Sequence, residues 1–443
     1  MHLIFFLPGI LGTKLLLGEE EVWPPTLAEI TLGYDRIEKL VDPACVPGEV
    51  ITRVCIRPIY EPILADLAEL VGGDHARVRA FAYDWRLDIR RTADAFAAAL
   101  TQAVSDGAER ISVVAHSMGG LVARLALEDA RYSAEPWLAK VTDLILLAVP
   151  QLGAPLALAR ALGLEGTTGL APEDLREIAK DERYPALYQL LPAPGQQSVW
   201  NAARNGTTPL DLYDAGTARD LGLSTANLAV ARETHARLDA GIRPPATRYV
   251  HLGATGLSTC LRVELTGQPG SSRPRMVAAD DTGDGTVPLW SAVSGGLQHN
   301  VTPGDHVKFF GDERFREMLY RLFGRRLPAV PFATADEKPR IAISVDAFTY
   351  APDAPIDVLL VPLNATARID GSLALQGSAG PAGPGELSPA RPPLSVRYEG
   401  PALRTLRVKL TAPAIPGQYR LSFAGSHATG PADAAAFAVS TAV

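Results

Sequence analysis

The stretch Ile111-Ser112-Val113-Val114-Ala115-His116-Ser117-Met118-Gly119-Gly120, followed by Leu121-Val122-Ala123-Arg124, decides how this chain is read. An apolar run of strand length enters a turn of small residues, and an amphipathic helical run leaves it. Ala115 and Gly119 are small enough for a strained turn that lifts the Ser117 hydroxyl clear of a sheet. The start of the following helix then places backbone N–H groups beside that hydroxyl. The pattern is a nucleophile elbow with Ala in place of the usual first Gly.

Outward from this turn, short apolar runs alternate with segments of helical spacing from the start of the chain to about Arg326. That alternation predicts a doubly wound, mostly parallel α/β sheet, and with the elbow it predicts an α/β-hydrolase. Leu3 to Leu7, Arg77 to Tyr83, Ile111 to Ala115, Val141 to Ala148 and Tyr249 to Gly253 are the expected buried strands; Thr92 to Ser105 and Leu121 to Ala130 are expected helices. From Leu158 to Thr247 the chain shows helical pieces and loops but no core strand, so residues 158–247 are expected to form a helical cap or lid.

Beyond Gly324 the character changes. Pro and charged residues across 327–339 read as a linker with few contacts across it. Residues 340–443 carry short runs such as Ile341 to Val345, Ile356 to Val361, Leu403 to Leu410 and Tyr419 to Phe423, separated by turn residues. They predict a C-terminal immunoglobulin-like β-sandwich, with Ser378 to Pro393 as a long surface loop. The α/β-hydrolase unit is therefore expected to span residues 1–326.

The 443 residues exceed what one core usually organises, and 47% hydrophobic with 21% charged residues describes a well-filled globule. The net charge of -7 gives no general attraction to nucleic acid or to an anionic membrane, so any lipid contact must be mainly apolar or local. No apolar run approaches the roughly 20 residues of a membrane span. The opening Met1-His2-Leu3-Ile4-Phe5-Phe6-Leu7 passes straight into Pro8-Gly9 and reads as a strand rather than an export signal. A cytoplasmic location is expected on that ground, with export by another route left open. Cys45, Cys55 and Cys260 are too few for a disulfide scaffold and wrongly spaced for zinc; Cys45 and Cys55 either pair across a short loop or remain thiols.

A serine hydroxyl near neutral pH needs a base, and the base needs a partner that fixes its tautomer. In this fold the order along the chain is serine, acid, histidine. In Asp280-Asp281-Thr282-Gly283-Asp284-Gly285, flanking glycines free the backbone to aim a carboxylate, so Asp284 is the expected acid and Asp280 and Asp281 are the alternatives. His306, in Pro303-Gly304-Asp305-His306 before an amphipathic helix, is the expected base, with His299 the alternative. His235, His251 and His427 fall in the cap, a strand and the sandwich. The oxyanion donors are expected to be the backbone N–H groups of Met118 and, from the loop Phe6 to Gly12, Ile10. Trp85 and Leu11 are the side chains expected against the substrate. Asp84 and Arg86 are expected to tie down the loop entering the site.

Pro8-Gly9-Ile10-Leu11-Gly12, Tyr83-Asp84-Trp85-Arg86, Ala115 to Gly120, Tyr184-Pro185-Ala186-Leu187-Tyr188-Gln189-Leu190-Leu191-Pro192 and Gly283-Asp284-Gly285-Thr286-Val287-Pro288 occur in this order. Together they resemble the lecithin:cholesterol acyltransferase and lysosomal phospholipase A2 family, over roughly the first 325 residues. The resemblance implies cleavage of a lipid acyl ester through an acyl-enzyme, with transfer to water or a lipid alcohol. It places Ser117, Asp284 and His306 on the family's triad and Ile10 and Met118 on its oxyanion hole. It implies no metal or organic cofactor, and a lipid or ester partner met at a lipid surface. Two other readings stay open: a soluble carboxylesterase or thioesterase with the same triad, and an adhesion protein whose hydrolase part is inert.

Overall fold

The structure, a computed structural model, describes residues 1–55, 57–72, 74, 77–167, 169–203, 206–266, 273–295, 298–327, 341–345, 347, 349–362, 366–379, 388–403, 405–425 and 434–441. Almost all of the linker expected at 327–339, the middle of the Ser378 to Pro393 loop, and His427 lie outside the described residues.

Six strands form the central sheet: β1 (His2–Leu7), β2 (Val78–Ala80), β3 (Arg110–His116), β4 (Val141–Leu147), β5 (Arg248–Thr255) and β6 (His299–Pro303). Their order is β6-β5-β4-β3-β1-β2, and every neighbouring pair is parallel. Parallel strands covered on both faces read as continuous apolar runs, which is why β1, β3, β4 and β5 are legible in the sequence. Strand β6 was not. His299-Asn300-Val301-Thr302-Pro303 sits at the sheet edge with His299 exposed, so no apolar run announces it.

Helix α1 (Leu27–Leu32) opens with a capping box between Thr26 and Glu29. The longer helices α2 (Glu61–Leu70), α3 (Ile89–Ser105) and α4 (Met118–Glu128) flank the sheet. Apolar residues recur along α3 at Ile89, Ala93, Phe96, Ala97, Leu100 and Ala103, all buried, as an amphipathic helix on a sheet requires.

The cap holds strands as well as the expected helical pieces and loops. Helices α5 (Pro155–Ala161), α6 (Pro172–Lys180) and α7 (Thr225–Asp239) are present, but so is a hairpin of Val199–Ala203 and Gly206–Leu210. Val199–Ala203 pairs in parallel with Leu257–Thr266, which pairs antiparallel with Arg273–Gly283, giving a second sheet of four strands. The hairpin was hidden because its outer strand is Gly206-Thr207-Thr208-Pro209-Leu210. A polar edge strand containing Pro shows neither an apolar run nor clear alternation.

The C-terminal part is all β. Ile341–Val345, Pro355–Pro362 and Leu406–Thr411 form one sheet; Thr366–Ala379, Leu394–Leu403, Gly417–Gly425 and Ala434–Val439 belong to another. The two share a core that includes Ile356, Val358, Leu360, Leu373, Leu375, Leu421 and Val439. Along Pro355–Pro362 every second residue is buried, the period-2 signature of a half-covered strand.

This β unit touches the first one, against the expectation of few contacts. Helix α1 packs on Gly417–Gly425 and Ala434–Val439, and Ala438 belongs to the hydrolase core. Lys308 Nζ donates to the Val345 carbonyl at 2.7 Å. The Cys55 thiol meets the Gln418 side chain; Cys45, Cys55 and Cys260 are all unpaired with one another. Among the described residues, no helix is long and apolar enough to cross a membrane.

A chain ending at Leu327 is expected to unfold at least about 5 °C below the full protein, because the cut uncovers the surfaces of α1 and Lys308. Scanning calorimetry of both forms measures it, and coincident midpoints would show that these contacts stabilise neither unit.

Candidate active site

Ser117 lies between β3 and α4 with φ 50° and ψ -127°, a conformation that costs a non-glycine residue of order 1–3 kcal/mol. The surroundings impose it. The Ser117 N–H donates to Leu147 O at 2.9 Å, and Gly120 N–H donates to Ser117 O at 2.9 Å. A Cβ on Gly119 would lie 2.4 Å from the Pro8 carbonyl oxygen, and one on Gly120 would lie 2.1 Å from Val149 Cγ2. Only glycines let α4 seat this closely against the loops that follow β1 and β4. The same approach brings Gly9 to the serine, since a Cβ there would be 2.9 Å from Ser117 Cβ.

His306 Nε2 lies 3.0 Å from Ser117 Oγ, and His306 Nδ1 lies 2.7 Å from Asp284 Oδ2. A carboxylate only accepts, so Nδ1 carries the proton and Nε2 is left to receive the serine's. The other oxygen of Asp284 accepts from the backbone N–H groups of Thr286 at 2.9 Å and Val287 at 2.7 Å, in a turn where Gly285 has φ 86°. The His306 N–H donates to Asp284 O at 3.0 Å, so acid and base are also joined by backbone. All three are buried.

The alternatives are held elsewhere. Asp280 and Asp281 are exposed on the strand Arg273–Gly283, and His299 is exposed on β6 opposite His251. His235 Nε2 meets the Leu191 carbonyl at 2.9 Å and pins the cap. A second serine, Ser112, lies 2.9 Å from His2 Nε2 and donates to Asp143 Oδ2 at 2.9 Å. There the aspartate holds the serine rather than the histidine, and Arg110 and Arg248 also bind it, so the group is a strut between strands.

Two residues behind the triad were not singled out from sequence. Gly9 N–H donates to Tyr60 Oη at 2.8 Å, Tyr60 Oη meets His116 Nδ1 at 2.8 Å, and His116 Nε2 meets the His306 carbonyl at 3.0 Å. Since Tyr60 already accepts from Gly9, its own proton goes to Nδ1, and the proton on Nε2 goes to the carbonyl. Burial, with His306 close by, holds the His116 pKa well below the ordinary histidine value, in keeping with this neutral tautomer. The chain of bonds ties the loop after β1 to the histidine loop. Tyr60 lies in no motif, and His116 reads only as part of the elbow.

In front of the serine is a cavity of about 180 Å³ with mainly apolar walls. Leu11 and Trp85 line it, together with Trp23, which sequence reading did not single out. Trp85 Nε1 donates to Thr13 O at 3.2 Å and Trp23 Nε1 to Leu11 O at 2.8 Å, while the two indoles meet edge to face at 5.6 Å. Leu11 has φ 64°. Arg86 binds Asp84 through two nitrogens, Nε at 2.9 Å and Nη2 at 2.7 Å, and lies under the Tyr184 ring. That buried pair ties down the loop entering the site, as the sequence suggested, and through Tyr184 Arg86 also touches the cap.

A parallel sheet, a strained serine at the end of a central strand and a histidine and acid delivered by later loops define an α/β-hydrolase. The family model described as lecithin:cholesterol acyltransferase matches residues 55–230 of this chain, so over that segment the chain is similar to that family. The matched segment holds Tyr83 to Arg86, the elbow and Tyr184 to Pro192, but not the loops of Ile10 or Asp284. No curated protein sequence matches the chain. Among solved structures, the mature form of the Bacillus licheniformis lipase BlEst2 is 14% identical, covering 72% of this chain and 91% of that one, with a TM-score of 0.39. Its propeptide form is 10% identical, covering 98% and 92%, with a TM-score of 0.38. The product of the Listeria innocua gene lin2722 is 11% identical, covering 75% and 95%, with a TM-score of 0.30.

Tyr60→Phe leaves Gly9 N–H and His116 Nδ1 buried without partners, and is expected to cost about 1–3 kcal/mol of stability, read from urea unfolding. A variant as stable as the parent would mean that the relay is not intact.

His116, His235 and His251 are all held below the usual pKa by burial, His251 at about 4. The unfolded chain takes up these protons below about pH 6.5 while the folded one resists, so stability is full above that pH and falls beneath it. Each histidine contributes about 1.4 kcal/mol per pH unit down to its folded pKa. Urea unfolding at pH 7, 6 and 5 should show the fall, with His251→Leu giving a shallower slope; an unchanged slope in that variant would contradict the assignment.

Proposed function

We propose that this protein is a serine-dependent lipid acyl-ester hydrolase or acyltransferase working through an acyl-enzyme. The observation that carries the reading is the bond chain from Asp284 through His306 to Ser117, ending at an apolar cavity. His306 takes the Ser117 proton as the oxygen attacks the ester carbonyl. The backbone N–H groups of Ile10 and Met118 receive the negative charge that develops on the carbonyl oxygen. Met118 is the first residue of α4, where a helix has amides without intrahelical partners. Collapse of the tetrahedral adduct expels the alcohol, which takes its proton from His306, and leaves the acyl group on Ser117. Water or a lipid alcohol, deprotonated by His306, then attacks the acyl-enzyme and frees the serine.

The lipid part rests on the walls. Leu175 and Ile178 of α6, with Leu187 and Leu190, bring the cap onto the cavity, where an acyl chain is removed from water. The β unit, read as an immunoglobulin-like module, is assigned to attachment at a lipid surface or partner.

Ser117→Ala should lose covalent labelling by a fluorophosphonate, and both Ser117→Ala and His306→Ala should lose at least about three decades of kcat on a nitrophenyl ester. Asp284→Asn should fall by about 10⁴, since the imidazole then loses the acceptor that fixes its tautomer. Wild-type rates in the serine or histidine variant would sink the reading.

A further inference from the structure

One wall of the cavity carries a charge that ester cleavage does not require. Ala154, just before α5, and Ala157 and Arg160 within it recur at intervals of three, and all three line the cavity. Ala154 packs with Val287 beside the acid loop. Arg160 lies about 9 Å farther along the helix axis, at 1.5 Å per residue. Leu175 and Ile178 also line the cavity, so Arg160 shares this wall with apolar side chains of the cap.

The guanidinium is poorly compensated. The Arg160 side chain is 17% exposed, and its Nε is enclosed without a hydrogen-bond partner among the described residues. The acid nearest to it is Glu165, 3.6 Å from Nη2, too long for a charge-assisted hydrogen bond. Burial pulls the Arg160 pKa down and pushes that of Glu165 up, so neither group is at ease in its charged form there. Arginine does not shed its proton in such a site. What remains is a planar fork of donors, partly desolvated, facing one loose carboxylate partner. A carboxylate or phosphate oxygen meeting the Nη groups completes the charge balance.

We propose that Arg160 is a specificity-determining residue for ester substrates that carry an anionic group, carboxylate or phosphate, separated from the scissile ester by an apolar segment several carbons long. Glu165 is the internal competitor that an incoming anion displaces from the guanidinium. The inference rests on Ser117 acting as an esterase nucleophile. The other role open to the pair is a strut inside the cap, and substrate discrimination separates the two.

The test uses the full chain and two matched substrate pairs. One pair places the anion on the acyl side: the nitrophenyl hemi-ester of decanedioic acid against its ω-methyl ester. The other places it on the alcohol side: 6-phosphohexyl decanoate against 6-hydroxyhexyl decanoate. Wild type should favour the charged member of at least one pair by about tenfold in kcat/KM. Arg160→Gln should bring that ratio close to one while the neutral member stays within about threefold of wild type, and Arg160→Lys should keep part of the preference. Glu165→Gln should raise the ratio. If Arg160→Gln fails to fold with Glu165 left alone, the double variant Arg160→Gln/Glu165→Gln buries no lone charge and gives the same readout. A ratio near one in both pairs for wild type, an undiminished ratio in Arg160→Gln, or equal loss on both members overturns the proposal. A protein that labels at Ser117 and cleaves esters without discrimination overturns this inference alone; one that neither labels nor cleaves overturns the esterase reading with it.

Discussion

The distance between α4 and the loop after β1 governs the site. With the Pro8 carbonyl 2.4 Å from where a Cβ on residue 119 would be, the helix start cannot move outward or accept a side chain without parting the two loops. That contact holds the unusual backbone of Ser117 and goes with the close approach of Gly9 to it. A strained conformation persists only where its neighbours over-determine it. Here two glycine contacts and two backbone hydrogen bonds do so, and the core formed by β1, β3 and β4 holds the loops from which they come.

The polar groups around the serine are satisfied in two separate layers. In front, Asp284 is held by two amides and by His306, so its charge is spread over three donors in a buried place. Behind, Tyr60 and His116 form an uncharged relay ending on the backbone carbonyl of His306. A charged His116 would put a cation against the His306 imidazole and, in the mechanism proposed above, oppose the imidazolium that forms there. Keeping His116 neutral through burial lets it position the loop without that cost.

The parts that were legible in sequence are those whose local chemistry repeats their tertiary role. Apolar β1, β3, β4 and β5 are buried on both faces, and Asp284 is flanked by glycines because its turn needs them. The parts that were not legible depend on partners distant in the chain. Tyr60 acts only because Gly9 and His116 come to it, and Trp23 because Leu11 does. The hairpin Val199–Ala203 with Gly206–Leu210 is strand because Leu257–Thr266 offers an edge, not because its residues demand it. The linker composition suggested separation, yet composition cannot report that α1 and Lys308 would meet the β unit.

The second sheet changes what the cap can do. Leu257–Thr266 pairs on one side with the cap strand Val199–Ala203 and on the other with Arg273–Gly283, whose last residue immediately precedes Asp284. Gly283 also bridges Pro288, closing the turn that aims the carboxylate. Glu264 binds Arg262 and Arg275, clamping the two strands together near the end of Leu257–Thr266. A helical lid hinged on loops would move independently of the triad. A cap that shares a hydrogen-bonded sheet with the strand feeding the acid loop has a direct mechanical path to the orientation of Asp284, and through it to His306. In the proposed function, a substrate filling the cavity beneath α6 therefore bears on the Asp284–His306–Ser117 geometry through backbone pairing as well as through the cavity walls.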